Sequence, residues 1–212
     1  LTIDLPGGRN VETQAKLVRE DTRTCSNCHQ GQAKPIFDGL DMRGVGLNDP
    51  SLTWDVIGRL KEVTKMKVII KGIEAGIDAS LAVENGADGI WVSNHGGRAI
   101  ESDRGSIEGL PEIVSAVNGR APIIIDSGFR RGTDVYKALA LGANAVGIGR
   151  PYCWGLGAFG QAGVERVLDL LNRELQIAMV GSGTPTVESI GPDYVIDAGY
   201  RVPRGRLGRE LL

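Results

Sequence analysis

Five short apolar runs, each closing on a polar or charged residue, constrain the fold more than any other feature of this chain. They are Leu1–Asp4, Lys67–Lys71, Asp88–Ser93, Ala121–Asp126 and Ala143–Gly149. Short β-branched runs bounded by turn residues read as buried strands. The segments between them read as helices. Trp54, Ile57, Leu60 and Val63 recur at helical spacing behind the capping side chains of Ser51 and Thr53. Glu74–Asn85 is stopped by Gly86, and Leu110–Asn118 and Thr133–Leu141 follow. A long helix over Ala158–Gly181 carries Leu168, Leu171, Leu175 and Met179 along one face. Strands alternating with helices make a parallel sheet with crossover helices. Two architectures meet that description, a doubly wound open sheet and part of an eight-stranded barrel. Asp4, Lys71, Ser93, Asp126 and Gly149-Arg150 each close a strand, so all five strand ends offer site chemistry. A barrel gathers every strand end at one mouth, whereas an open sheet gathers only those near its switch point. The expected fold is therefore α/β, a TIM (β/α)8 barrel, with about three strands supplied from outside this chain.

Composition narrows the function. At 212 residues one domain is expected, with residues 184–212, rich in Gly, Pro and Arg, as a C-terminal surface arm. A net charge of −2 gives no footprint for nucleic acid or a membrane surface, and no apolar run reaches the roughly 18 residues of a membrane span. Three cysteines argue against a disulfide scaffold and fit a reducing compartment, with the cytoplasm as the expected location. Leu1 to Asp4 reads as the middle or end of a strand, so the chain is expected to begin inside a larger protein. Asn10–Arg23 reads as a helix or ordered loop, and residues 24–50 show no period.

Chemistry concentrates in Ser93-Asn94-His95-Gly96-Gly97-Arg98. This loop follows a strand's C-terminal end, the usual location of sites in βα proteins. It carries an imidazole and a guanidinium, with two glycines that let the backbone bend or approach a ligand. Lys71-Gly72 precedes it. Asp126-Ser127-Gly128-Phe129-Arg130-Arg131-Gly132 and Gly147-Ile148-Gly149-Arg150-Pro151 follow. These four motifs, in this order, resemble the FMN-dependent 2-hydroxy-acid oxidases and dehydrogenases, the family of glycolate oxidase, lactate oxidase and mandelate dehydrogenase. The likeness runs from Thr2 to about Tyr194 and matches the C-terminal portion of that family, about its last five βα units.

The resemblance implies roles. His95 would be the base acting on the substrate, with Asp4 orienting its imidazole. Arg98 would hold the substrate carboxylate, a shape that matches the guanidinium fork. Arg9 is the candidate second arginine, or else a surface or capping charge. Lys71 would lie against the flavin and stabilise negative charge on the reduced ring. Thr2 and Ser93 would hydrogen-bond the ring, or else be ordinary small strand residues. Asp126, Ser127, Gly128, Phe129, Arg130, Gly149 and Arg150 would clamp the ribityl phosphate, helped by a helix N-terminus near Gly132. Asp126-Ser127-Gly128 departs from the family's usual Asp-Gly-Gly. FMN is the implied cofactor, a small 2-hydroxy acid the substrate, and the N-terminal half of the barrel a necessary partner. A homo-oligomer, specifically a tetramer, is also implied.

Two other readings compete. A non-catalytic phosphate-ligand-binding domain would keep Asp126–Arg130 and Gly149-Arg150 but have no use for His95. Cys25-Ser26-Asn27-Cys28-His29 matches a c-type haem attachment run, although no cytochrome-like domain surrounds it. Its three ligands are one short of a structural zinc set, so no metal is expected. Cys153, beside Tyr152 and Trp154, reads as packing.

Overall fold

The computed structural model describes residues 1–5, 12–20, 41, 49–99 and 104–196. In chain order its elements are α1 (Glu12–Glu20), α2 (Asp55–Val63), β1 (Ile69–Ile73), α3 (Gly76–Glu84) and β2 (Gly89–Val92). They continue with α4 (Ser106–Val117), β3 (Ile123–Ile125), α5 (Gly132–Ala140), β4 (Ala145–Val146) and α6 (Arg150–Ser182).

The sheet is parallel and its strands lie in the order β1-β2-β3-β4. Thr2 adds a parallel bridge to Lys71 on the free side of β1. Among the described strands, neighbours in space are thus neighbours in sequence, and their order does not reverse. A doubly wound sheet needs such a reversal at its switch point; an arc of a (β/α)8 barrel has none. The first expected strand is reduced to that bridge: the Leu1 carbonyl accepts the Lys71 N–H at 2.8 Å and the Ile3 N–H donates to the Lys71 carbonyl at 2.9 Å.

Alternation along the strands separates two faces. Ile70, Ile90, Val92, Ile123 and Ile125 are buried with Ile57, Ala79, Ala82, Leu110, Ile113 and Val117 of the helices. Each of the Ile, Leu and Val side chains among them contributes about 1.5–3 kcal/mol when fully removed from water. The other face carries Lys71, Trp91, Ile124 and Ala145 in register across all four strands, and none of them is fully buried.

Helix boundaries shift for identifiable reasons. Helix α4 starts at Ser106 rather than Leu110, because Glu108 Oε2 accepts the Gly105 N–H at 2.6 Å and Ser106 Oγ donates to the Asp126 carbonyl at 2.6 Å. The helix continues through Pro111. Helix α6 starts at Arg150 and is broken at Phe159 and Gly160. Beyond the break it folds back so closely that a Cβ on Gly155 or Gly163 would meet the other's backbone. The segment expected as a surface arm begins instead with buried Thr184, and Ile190 is buried with Tyr136 and Ala140 of α5. Residues 197–212 lie outside the described residues.

Candidate active site

Side chains from β1, from the ends of β2 and β3 and from the Leu1–Asp4 segment converge. Lys71 Nζ donates to Ser93 Oγ at 2.8 Å and lies 3.3 Å from Asp126 Oδ2. Ser93 Oγ in turn donates to Asp126 Oδ1 at 2.6 Å. Residues from β1, from the end of β2 and from the end of β3 are therefore locked into one charged network. Asp4 joins the same rim because β1 makes room for it. Gly72, at φ 102°, disrupts the β1–β2 register, and a Cβ there would lie 2.6 Å from the Cβ of Asp4.

The loop after β2 is wound left-handed at three consecutive residues, His95 (φ 58°), Gly96 (φ 74°) and Gly97 (φ 76°). Glycine tolerates this; for histidine it costs about 1–2 kcal/mol and needs surroundings that enforce it. They do. The His95 N–H donates to Ser93 Oγ at 3.1 Å, Gly96 N–H to Ser127 Oγ at 3.0 Å and Gly97 N–H to Asn94 Oδ1 at 2.9 Å. Arg150 Nη2 donates to the Gly96 carbonyl at 3.1 Å, and a Cβ on Gly96 would meet that guanidinium at 2.8 Å.

The loop aims the imidazole at Asp4. His95 Nδ1 lies 2.9 Å from Asp4 Oδ2 and 3.1 Å from Oδ1, with 4% of the Asp4 side chain exposed and 21% of the His95 side chain. A carboxylate only accepts, so Nδ1 carries the proton of that bond, and the neutral imidazole in this tautomer presents its lone pair at Nε2. Such a pair can take a proton from a group held at the rim and stabilise the resulting imidazolium. Arg98, on the same loop, donates from Nε to the His95 carbonyl at 2.9 Å and is itself exposed.

The Asp126–Arg130 turn is left-handed at Ser127 (φ 78°) and Gly128 (φ 91°). Beside Gly128 and Gly149 there is open space where any Cβ would stand. Arg130 flanks the first of these, its guanidinium 5.3 Å from the centre of the Trp154 ring, and Arg150 follows the second. The start of α6 at Arg150 has the N–H groups of a helix N-terminus that lack an intrahelical partner, except at Pro151, which has none. The start of α5 is different: Asp134 Oδ2 accepts the N–H groups of Arg130 and Arg131, and Glu174 Oε2 that of Gly132. The helix N-terminus expected to help at Gly132 has thus spent these amides on the protein's own carboxylates. Phe129 is buried in the core, so only its backbone can face a ligand.

His95, Asp4, Lys71, Ser93 and Asp126 are thus joined by direct hydrogen bonds or ion pairs, with Ser127, Arg98 and Arg150 bonded to the same loop. Thr2 meets Lys71 through the backbone alone. Arg9, Cys25, Cys28 and His29 lie outside the described residues. Sequence reasoning assigned no role to Gly72 or Asn94, and to Gly96 only the freedom to bend or approach a ligand. Only their place inside the motifs marked them, because the close approaches they permit are long-range.

Comparison with known proteins identifies the family. The family model described as FMN-dependent dehydrogenase matches residues 2–197. The chain is 51% identical to a 2-hydroxyacid oxidase of Dictyostelium discoideum over 199 residues, covering 93% of this chain and 51% of that protein. It is 49% identical to an L-lactate oxidase of Nostoc over 147 residues, 69% of this chain and 40% of the relative. Among solved structures, a soluble mutant of the (S)-mandelate dehydrogenase of Pseudomonas putida superposes with a TM-score of 0.75 at 34% identity, covering 92% of this chain and 56% of that one. The chain thus spans about half the length of these relatives. With its motifs, its barrel arc and these likenesses in agreement, the chain belongs to the FMN-dependent dehydrogenase family.

Proposed function

We propose that this chain carries the catalytic strand ends of an FMN-dependent enzyme that oxidises an (S)-2-hydroxy acid to the 2-keto acid. The observation that carries the reading is the His95–Asp4 pair, held in a strained loop on the same rim as the Lys71 ammonium. A domain that only bound a phosphate ligand would have no use for that strain.

The residues present fit FMN. A phosphate needs positive charge and backbone able to approach it closely; Gly128 and Gly149 leave open space at the backbone, and Arg130 and Arg150 follow them within two residues in the sequence. An isoalloxazine gaining electrons needs a fixed cation, and Lys71 stands at the strand ends. When bound, FMN supplies the two-electron acceptor, to be reoxidised by oxygen or another acceptor. Asp126 and Ser93 keep the Lys71 ammonium in place. Arg98 holds the substrate carboxylate in its guanidinium fork. His95 Nε2 takes the proton, and Asp4 holds the imidazole in the tautomer that lets it do so. The remaining strands of the barrel come from outside these residues, and much of the side-chain pocket comes with them. We place the enzyme in a reducing compartment, as a homo-oligomer.

The test is an anaerobic visible spectrum of the whole flavoprotein before and after adding lactate or glycolate. The flavin bands should bleach. His95→Asn should retain the bands and slow bleaching by about 10²–10⁴-fold, the usual weight of a general base. Bleaching at the wild-type rate in that variant overturns the assignment of His95.

A further inference from the structure

Ser127 occupies a backbone conformation in which glycine would be free of strain, so its side chain calls for a reason. At φ 78° it is one of three non-glycine residues in the left-handed region among those described, with His95 and Asn118. Its hydroxyl makes three bonds. It accepts the Gly96 N–H at 3.0 Å and the Asn94 N–H at 3.3 Å, and it donates to Asp126 Oδ1 at 2.8 Å. The two amides it accepts flank His95 on either side. Asp126 Oδ1 also accepts from Ser93 Oγ, which receives the His95 N–H itself. The three successive amides of residues 94 to 96 therefore end on two serine hydroxyls, and both hydroxyls are anchored on one carboxylate oxygen.

We propose that Ser127 is a positioning residue for His95: its hydroxyl holds the left-handed loop that aims the imidazole at Asp4. The assignment rests on His95 being the base. It is distinct from a role of Ser127 toward the cofactor, because these hydroxyl bonds run to the His95 loop and to Asp126. Without the hydroxyl, the Gly96 and Asn94 amides lose their acceptor, and residue 95 keeps only its amide bond to Ser93, the Arg98 bond to its carbonyl and the pairing with Asp4 itself. The loop then samples other conformations in which Nδ1 is away from Asp4.

Ser127→Gly separates the two functions of the residue, since it removes the hydroxyl while relieving the backbone, and so should fold. In the whole flavoprotein it should keep FMN and the KM for the 2-hydroxy acid within about threefold, yet lower the rate of anaerobic flavin reduction about 10- to 100-fold, the scale of an ångström-sized misplacement. In a His95→Asn background the same change should alter the residual rate less than about twofold, because a residue that acts through His95 has nothing left to position. By amide exchange, the Gly96 N–H should exchange at least about tenfold faster in Ser127→Gly than in wild type. Equal rate losses in both backgrounds, loss of FMN in parallel with rate, or unchanged Gly96 exchange each overturn the proposal. A wild-type protein that reduces no flavin with any 2-hydroxy acid instead refutes the enzymatic reading, while Gly96 exchange still decides whether Ser127 holds the loop.

Discussion

At Gly72 the chain trades sheet regularity for a site. Its left-handed φ and the absence of a Cβ let Asp4 sit against β1, within reach of His95. Gly72→Ala would bring a Cβ to 2.6 Å from that of Asp4. It should cost about 2–4 kcal/mol from backbone strain and overpacking together. Because Asp4 is what moves, flavin reduction should fall at least about tenfold beyond what a stability-matched core variant loses; parallel thermal and kinetic measurements decide it. Individual side chains such as His95, Lys71 and Asp126 were legible in the sequence because strand ends in a βα protein share one rim. Their exact partners were not. Nothing in the local spacing says that Ser127 bonds the Gly96 amide or that Gly72 yields to Asp4, since both contacts are set by the register of neighbouring strands.

At the scale of elements, helices were read well and the start of α4 less so, because that start is fixed partly from elsewhere in the chain. Apolar spacing located α2 and the later part of α6, and Glu74–Asn85 and Thr133–Leu141 read as helices where α3 and α5 stand. The first turn of α4 depends on Glu108 and on a carbonyl across the sheet, and α3 is capped by a residue of α4. Glu112 Oε1 accepts the Gly76 N–H at 2.8 Å while Oε2 takes Arg104 Nη2 at 2.7 Å. The Arg104 guanidinium, followed by the Gly76 amide, holds the Glu112 carboxyl below its ordinary value near 4.5. A carboxyl depressed on folding stabilises the fold above its unfolded value, and that stability is lost as pH falls through the depressed one. Glu112→Gln should therefore lower the melting temperature at pH 7 by about 2–4 °C, as expected for a pair this exposed. The difference should close as the pH drops below about 4. A gap that stays constant down to pH 2.5 would assign the effect to the amide's geometry rather than its charge.

The molecule as a whole explains its own apolar surface only as part of a closed barrel. Strand order without reversal marks an arc, and an arc leaves strands and helices at its ends with unused faces. Ala145 on β4 is exposed. On α6, Leu170, Ile177 and Val180 are exposed and fall on one stripe by their spacing of seven and three. In a (β/α)8 barrel the last strand and helix lie beside the first, so the units we propose from outside these residues are the ones that cover this stripe. Val180, 83% exposed on the chain alone, separates the possibilities because it belongs to neither the core nor the site. If the stripe faces water in the whole protein, Val180→Glu is a surface change, worth no more than about 0.5 kcal/mol. If the first βα units pack on it, the new carboxylate is buried without a partner and costs about 3 kcal/mol or more. We expect the second: a fall in melting temperature of at least about 5 °C, with any loss of flavin following unfolding rather than preceding it. An unchanged melting temperature would place this helix face in solvent and require the barrel to close in another way.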